Sequence, residues 1–279
     1  MSKLWFITGV SSGLGKAIAQ AALQAGHRVV GTLRTEEQRQ AFADLLPGRA
    51  YGVLLDVTDD AAVESTVARI EREVGPVEVL VNNAGYGVEG AVEETSMAQS
   101  RHQFEVNFFG ALAVTKAVLP GMRERRQGHI INITSTGGLM AFPGLGVYNA
   151  SKHALEGLTD ALAQEVKNLG IKVTAIEPGP FRTDWAGRSM ARAETRIDDY
   201  QATAGAMREA LAQRNGKQAG DPARAGAILV DLVKQENPPR RLVLGTMGYK
   251  QIGGNLSARL AELVNHADIS LSADFPLGE

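Results

Sequence analysis

Tyr148 and Lys152 stand four residues apart, so a helix would carry both side chains on one face. An ammonium group beside a phenol favours the phenolate, and it therefore lowers the tyrosine pKa from its usual value near ~10. Such a pair could give and take a proton near neutral pH, as general acid–base catalysis requires. The pair gains weight from Ser135, which lies 13 residues upstream after a strand-like run.

A glycine-rich turn follows the first predicted strand, in the run Thr8-Gly9-Val10-Ser11-Ser12-Gly13-Leu14-Gly15. Glycine permits a tight turn and lets backbone N–H groups approach a pyrophosphate, which the N-terminus of the next helix also attracts. Three glycines between a strand and a helix therefore favour dinucleotide binding over a purely structural turn. The predicted binding residues here are Gly9, Ser11, Ser12, Gly13, Leu14 and Gly15.

The end of the second predicted strand bears on the choice of cofactor. An NAD-binding fold usually has an acidic residue here for the ribose 2′-hydroxyl, whereas this chain has Leu33 followed by Arg34. A guanidinium binds a 2′-phosphate that a carboxylate would repel. The sequence therefore predicts NADP(H) in preference to NAD(H). The alternative is a solvated Arg34, with Glu36 or Glu37 binding the ribose.

Two further strand ends offer cofactor contacts. Asp56, followed by Val57, could accept a hydrogen bond from an adenine amino group or could serve only as a turn residue. The run Asn82-Asn83-Ala84-Gly85 has small residues that would let the backbone lie along the cofactor, although an asparagine–glycine turn is the alternative.

Short apolar runs alternate with amphipathic helical patterns along the chain, and this alternation predicts βαβ units. The fold class is therefore α/β, a doubly wound parallel sheet of Rossmann type with about seven strands flanked by helices. We expect a single domain over residues 1–279. The predicted strands are Leu4–Thr8, Arg28–Leu33, Tyr51–Leu55, Val77–Asn82, His129–Thr134, Lys172–Ile176 and Arg241–Leu244.

One stretch breaks this rhythm. Residues 181–220 are polar and show no strand pattern, and they follow a strand end where open α/β sheets bind ligands. We interpret them as a lid over a substrate pocket, with a helical surface excursion as the alternative. Residues 255–279 are predicted to form a C-terminal helix and tail.

Composition excludes several classes of function. The chain has no cysteine, which rules out disulfides, thiolate catalysis and cysteine–zinc sites. A net charge of −2 favours neither nucleic acid nor an anionic membrane, and Arg123–Arg126 fits a solvated helix end. The five histidines have no metal-binding spacing, so no metal is expected. No apolar run has the length of a signal peptide or a membrane span, and we expect a cytoplasmic protein.

Together these motifs resemble the short-chain dehydrogenase/reductase family, and within it the NADP-preferring branch of steroid and retinol dehydrogenases. The resemblance extends from Leu4 to about Arg182. It is carried by Thr8-Gly9-x3-Gly13-x-Gly15, Asn82-Asn83-Ala84-Gly85, Asn107, Ser135, Tyr148-x3-Lys152 and Pro178-Gly179.

The resemblance implies a role for each site residue. Tyr148 would protonate the carbonyl oxygen in reduction and deprotonate the alcohol in oxidation, while Lys152 would hold the nicotinamide ribose and lower the tyrosine pKa. Ser135 would bind the substrate oxygen, and Asn107 would interrupt a helix and hold a water of a proton relay. Singly, Ser135 could also be a turn residue, Asn107 a helix-kink residue and Tyr148 a half-buried aromatic. Further cofactor contacts would come from Pro178, Gly179 and Thr183.

The function predicted in this way is hydride transfer between NADP(H) and a carbonyl or secondary alcohol. Residues expected around the pocket favour an apolar substrate: Leu139, Met140, Phe142, Leu145, Phe181 and Trp185. Alternatives are an NAD-linked alcohol dehydrogenase, a 3-oxoacyl reductase, and a non-catalytic NADP(H)-sensing regulator. Helices near 106–126 and 148–168 pair across a two-fold axis in the family, which implies a homodimer or homotetramer.

Overall fold

Parallel strands form the central sheet of the computed structural model, which describes residues 2–275. The middle strands are buried along their whole length, because helices cover both faces of the sheet. In chain order the strands are β1 (Leu4–Ile7), β2 (Arg28–Leu33), β3 (Ala50–Leu54), β4 (Val79–Asn82), β5 (Gly87–Glu89), β6 (Gly128–Ile133), β7 (Ile171–Pro178), β8 (Met190–Arg192) and β9 (Arg241–Leu244).

Seven of the described strands pair in the order β3-β2-β1-β4-β6-β7-β9. Every neighbouring pair is parallel, as the predicted doubly wound sheet requires. The strand order changes direction between β1 and β4, where Ile7 lies beside Val81. Ligands bind at such a switch point, outside the carboxyl ends of the strands. The predicted Rossmann-type fold is confirmed.

Two layers of helices cover the sheet. Side chains such as Ile18 and Leu229 pack on one face, and Val67, Val118 and Leu162 pack on the other. The helices are α1 (Gly13–Gln24), α2 (Glu36–Ala43), α3 (Asp60–Glu73), α4 (Met97–Phe104), α5 (Gly110–Arg125), α6 (Gly146–Glu165), α7 (Ala206–Arg214), α8 (Pro222–Lys234), α9 (Thr246–Asn265) and α10 (Ala267–Leu271).

The expectation that residues 181–220 contain no strand is wrong. Within them, β8 pairs with β5 in a separate two-stranded parallel sheet, with Gly87 beside Met190. A strand of three residues is too short for the alternation of apolar and polar residues to be recognised in the sequence. Its strand conformation depends on pairing with β5 rather than on its own sequence pattern.

The C-terminal helix α9 begins at Thr246, nine residues before the predicted start near Asn255. The last part of the predicted tail, 276–279, lies outside the described residues. None of the helices within 2–275 combines the length and the apolar character needed to cross a bilayer.

Candidate active site

A cavity of about 860 Å³ opens at the carboxyl edge of the sheet. Its wall includes all of the predicted site residues except Gly15 and Asn107, which lie directly behind it. The structure therefore brings the predicted cofactor-binding and catalytic residues to one place. The members of this set on the wall are Gly9, Ser11, Ser12, Gly13, Leu14, Arg34, Asp56, Val57, Asn83, Ala84, Gly85, Ser135, Tyr148, Lys152, Pro178, Gly179 and Thr183.

The glycines of the first turn have separate structural roles. Gly9 and Gly13 have φ angles of +73° and +59°, a region that other residues rarely adopt. Gly15 lies in the first turn of α1, where an added Cβ would come within 2.2 Å of the Gly9 carbonyl oxygen and 2.3 Å of Asn83 Nδ2. Only glycine lets α1 pack this closely against the turn.

Hydrogen bonds join the ends of β1 and β4. Thr8 Oγ1 accepts from the backbone N–H groups of Asn83 and Ala84, both at 2.9 Å. Asn83 Nδ2 in turn donates to the carbonyl oxygens of Thr8 and Gly9, at 2.9 and 3.0 Å. The asparagine motif thus fixes the shape of the glycine-rich turn, a role for Thr8 that sequence reasoning missed.

The N-terminus of α1 fits an anion. Ser12 precedes the helix without a side-chain cap, and no acidic residue lies in the first turn. The positive end of the helix dipole is therefore not neutralised by an acidic residue of its own first turn. A Cβ added to Gly13 would have Thr183 Cβ, 3.7 Å away, as its nearest neighbour. The space over this turn is therefore open to a ligand. These features suit the pyrophosphate of a dinucleotide.

The end of β2 presents a cation to the same cavity. Arg34 is exposed and lines the wall, whereas Glu36 and Glu37 do not. The Glu36 carboxylate is bound by Arg39, with contacts from 2.6 to 2.9 Å. That hydrogen-bonded pair lowers the Glu36 pKa and occupies the carboxylate. Of the three side chains considered for the ribose, the Arg34 guanidinium is thus the one on the cavity wall.

Asp56 is a turn residue that also lines the cavity. Its Oδ1 accepts from the Thr58 backbone N–H at 3.0 Å and from Thr58 Oγ1 at 2.8 Å, which makes it a turn residue. It also lines the cavity together with Arg34 and His102. The hydrogen bonds to Thr58 and the charges of His102 and Arg34 lower the Asp56 pKa, against the effect of burial. The carboxylate is thus on the cavity wall, and its hydrogen bond to an adenine amino group stays a prediction.

Tyr148 is on the first turn of α6 and is 6% exposed. Burial raises the pKa of Tyr148 to about 12, and a hydrogen bond with Ser135 acts in the opposite direction. In this structure Tyr148 is a neutral phenol, the form that donates a proton.

Lys152 lies one turn further along α6 and is 5% exposed. Its Nζ donates to the carbonyl oxygen of Ile133 at 2.8 Å. Burial lowers the pKa of Lys152 to about 8, while the charge of Glu156 acts to raise it. Its Nζ lies 3.5 Å from the position of a Cβ added to Gly85, so glycine leaves the ammonium accessible from the cavity.

Asn107 lies in a π-helical turn, Glu105–Phe109, which interrupts the helix between α4 and α5 as expected. Its Nδ2 donates to the Tyr86 carbonyl oxygen at 3.0 Å and to Ser151 Oγ at 3.1 Å, and its Oδ1 accepts from the Tyr86 N–H at 3.0 Å. Ser151 Oγ donates to the carbonyl oxygen of Tyr148 at 2.8 Å. Because both amide hydrogens are used, the observed role of the side chain is to fix the Tyr86 loop against α6.

The far end of the cavity is apolar. Trp185 packs on Tyr148 with ring centroids 5.1 Å apart. Of the predicted pocket residues, Leu139 and Met140 do not reach the wall, because the turn that follows Ser135 carries them outward. Sequence reasoning did not assign three residues that do line it, and their apolar type within a polar stretch was the available signal: Met190, Met207 and Leu211.

Comparison with known sequences gives a consistent result. A family model described as short chain dehydrogenase matches residues 3–194. An oxidoreductase of Botryotinia fuckeliana, BOA17, is 40% identical over 269 residues, which are 96% of each chain. A 3-ketodihydrosphingosine reductase of Bacteroides thetaiotaomicron is 38% identical over 242 residues, which are 86% of this chain and 87% of that one.

Solved structures agree with this. A short-chain dehydrogenase from Streptomyces avermitilis superimposes with a TM-score of 0.92 at 41% identity, covering 99% of this chain and all of that one (100%). A serine dehydrogenase in complex with NADP+ superimposes with a TM-score of 0.75 at 29% identity, covering 86% and 94% of the two chains.

Proposed function

The chain belongs to the short-chain dehydrogenase/reductase family and is an NAD(P)-dependent oxidoreductase; we propose that it transfers hydride between NADP(H) and the carbonyl or secondary alcohol of an apolar substrate. The observation that carries this proposal is the joint position of Tyr148, Ser135 and Lys152 on the wall of one cavity that also contains the glycine-rich turn.

NADP in preference to NAD is supported by the charges at the end of β2. Arg34 lines the cavity there, and Leu33 stands where a ribose-binding carboxylate would be. Of the two alternatives, Glu36 is held by Arg39, and Glu37 does not line the cavity. A solved relative of the family contains NADP+, which is compatible with this preference.

The residues of this chain would hold the cofactor at two ends. The turn from Gly9 to Gly15 and the N-terminus of α1 would bind the pyrophosphate, and Arg34 the 2′-phosphate. Lys152 would bind the nicotinamide ribose. When bound, the cofactor supplies or accepts the hydride.

Proton transfer is the task of the protein in this scheme. Tyr148 is neutral here, so in reduction its phenol donates a proton to the carbonyl oxygen as negative charge develops there. The Ser135 hydroxyl, which accepts from the Gly137 N–H at 3.0 Å, binds the same oxygen. Lys152 favours the phenolate that remains, and in oxidation the phenolate takes the proton back.

The substrate class follows from the apolar end of the cavity. Phe142, Leu145, Trp185, Met190 and Leu211 form one apolar cluster with Tyr148. An apolar carbonyl compound would gain free energy from leaving water there. The related protein of Bacteroides thetaiotaomicron is named for the reduction of a ketone, 3-ketodihydrosphingosine, which agrees with a ketone substrate here.

A panel of apolar ketones and secondary alcohols, each with NADPH or NADH and their oxidised forms, tests the proposal. We expect steady oxidation of NADPH with at least one apolar ketone, at a higher kcat/KM than with NADH. Tight NADPH binding without turnover of any compound would instead favour a sensing protein. Turnover restricted to acyl thioester substrates would favour a 3-oxoacyl reductase.

A further inference from the structure

One side of the helix α7 forms part of the cavity wall. Met207 and Leu211 are four residues apart on this helix, so their side chains point in the same direction, and both line the cavity. Leu211 also packs against the apolar cluster of Leu145, Tyr148 and Met190. The position of α7 therefore sets the size of the space beside the Tyr148 ring.

Apolar packing does not hold α7 in place. All nine residues of this helix are described, and none of them is buried, whereas α6 and α8 each have several buried side chains. The chain that leaves α7 passes through Gly216, which has a φ angle of +77° and, among the described residues, no atom within 4 Å of an added Cβ. Elements with few buried contacts open at a low cost in free energy. The place of α7 over the cavity therefore depends on polar contacts.

Arg208 supplies these contacts from the middle of α7. Its Nε lies 2.7 Å from a Glu89 oxygen, and its Nη2 lies 3.4 Å from a Glu94 oxygen. The side chains of Arg208, Glu89 and Glu94 are 14%, 4% and 2% exposed, so water and salt screen their attraction far less than at the surface. Exposed ion pairs contribute little, but removal of one member of a buried pair leaves a charge without compensation. The two pairs therefore attach α7 firmly.

The two acids are themselves held by other parts of the fold. Glu89 ends β5, and its carbonyl oxygen accepts from the Ala193 N–H at 2.8 Å beside β8. The Glu94 carboxylate accepts from the backbone N–H groups of Ala91 at 2.8 Å and of Ile197 at 2.9 Å. The guanidinium thus joins α7 to carboxylates whose positions do not depend on that helix.

We propose that Arg208 is a positioning residue for substrate specificity, which through its two buried ion pairs holds Met207 and Leu211 against the apolar end of the cavity. Arg208 itself lies outside the cavity wall, so it acts only through the helix that carries it. A substrate long enough to reach α7 depends on this wall, and a small substrate beside Tyr148 does not. The inference rests on the proposed function in so far as the substrate lies beside Tyr148.

Hydrogen exchange over α7 tests the attachment without any turnover. In Arg208→Gln two buried carboxylates lose their cation, so we expect α7 to move away and its amides to exchange about tenfold faster or more. The buried strands β4 and β6 should exchange as in the wild type. Arg72→Gln is the control, because it makes the same change at an exposed ion pair with Glu73 and should leave α7 unaffected.

The kinetics of two ketones give the second readout. For a long-chain methyl ketone, Arg208→Gln should raise KM about tenfold, or about 1.4 kcal/mol of lost binding, and change kcat less. The reduction of acetone, which does not reach α7, should change much less. NADPH affinity should be retained, because Arg34 and the glycine-rich turn lie at the other end of the cavity. Arg208→Lys keeps the charge but loses the planar fork, and its KM for the long ketone should lie between those of the wild type and Arg208→Gln.

Two results would overturn the inference. One is unchanged exchange of α7 in a folded Arg208→Gln protein, and the other is an equal loss of kcat/KM for both ketones, which a general loss of stability would produce. If Arg208→Gln does not fold, Glu89→Gln removes the shorter of the two ion pairs, and unchanged exchange of α7 in that variant decides against the inference. Absence of turnover in the wild type would count against the proposed function alone, because the exchange of α7 is measured independently.

Discussion

At the scale of single residues, burial controls the chemistry of the site. The same helix brings Tyr148 and Lys152 to one wall and removes both from water, which favours the neutral form of each. Tyr148 consequently has a raised pKa of about 12 and Lys152 a lowered one of about 8. The sequence pattern predicts the pair but not this effect, because burial depends on Trp185 and the other residues that close the cavity.

The cofactor preference is a property of two residues. Replacing Leu33 with Asp and Arg34 with Ala introduces a ribose-binding carboxylate and removes the guanidinium from the cavity wall. We expect the ratio of kcat/KM for NADPH and NADH to move in favour of NADH, measured with one ketone under the same conditions. Glu37→Gln, which changes a charge of the same segment away from the wall, is the control and should leave the ratio unchanged. A wild-type preference for NADH of tenfold, about 1.4 kcal/mol, would contradict the role given to Arg34.

At the scale of elements, the positions of the site residues depend on how helices meet strand ends. Glycine at position 15 lets α1 approach the turn, and the π-helical turn lets Asn107 bind the Tyr86 loop. The sequence predicts the glycine-rich turn from residue type and spacing, and the family resemblance predicts the helix interruption at Asn107. Neither predicts the contacts with Asn83 and Tyr86, which lie far along the chain. The short strand β8 is different, because its pairing with β5 is a contact between residues about 100 apart that no local pattern encodes.

The glycine at position 15 can be tested against a glycine in another helix. Gly15→Ala places a methyl group against Gly9 and Asn83, and overpacking of this kind costs roughly 1–3 kcal/mol. We expect a lower Tm and a loss of NADPH binding, measured by thermal unfolding and by cofactor fluorescence. Gly253→Ala in α9 is the control, because no atom lies within 4 Å of the added Cβ, and it should stabilise the protein by about 0.5–1 kcal/mol. Unchanged NADPH affinity in Gly15→Ala would contradict the role of this turn.

Residues 181–220 are expected to act as a lid, and the structure shows where they are held. Arg208 forms buried ion pairs with Glu89 and Glu94, at 2.7 and 3.4 Å, and the Ile197 N–H donates to Glu94 at 2.9 Å. These contacts anchor the middle of the segment to β5 and the loop that follows it.

Hydrogen exchange tests the lid. We expect faster exchange in 181–220 than in the sheet without ligands, and slower exchange once cofactor and substrate are both bound. The strands β4 and β6 serve as the internal reference, because they are buried throughout and should not change. Equal protection of the segment in the free and ternary forms would rule out closure.

At the scale of the whole molecule, the similarity to the family extends over nearly the full chain. The surface of the subunit determines how copies of the chain associate. The helix near 148–168 is one of the two helices expected to pair across a two-fold axis. Its residues Leu155 and Leu162 are only 1% and 5% exposed, so they are buried within the subunit. Leu256, Leu260 and Leu263 of α9 are more than half exposed, at 52%, 61% and 64%. The sequence alone could not distinguish residues buried inside one subunit from residues buried between two subunits. Both positions require apolar residues on a helix.

We still expect a homodimer or a larger symmetric oligomer, since most soluble oligomers are symmetric and the apolar surface of α9 adds to the case for association. Multi-angle light scattering at micromolar concentration measures the mass directly, against 29.7 kDa for one chain. A comparison with the double variant Leu260→Lys and Leu263→Lys shows whether α9 takes part. A wild-type protein with the mass of one chain would contradict this prediction.

The central claim is that Tyr148 is the proton donor of an NADP(H)-dependent reaction, and Tyr148→Phe tests it most directly. The substitution keeps the ring against Trp185 and removes only the hydroxyl, so packing and NADPH affinity should change little. Turnover should fall by roughly 10²–10⁴, the contribution of a positioned acid–base group. The measurement pairs ketone reduction with NADPH binding by fluorescence on the same preparation. A loss of turnover with retained binding is the result we predict, and a variant within a few-fold of wild-type turnover would contradict the assignment of the site.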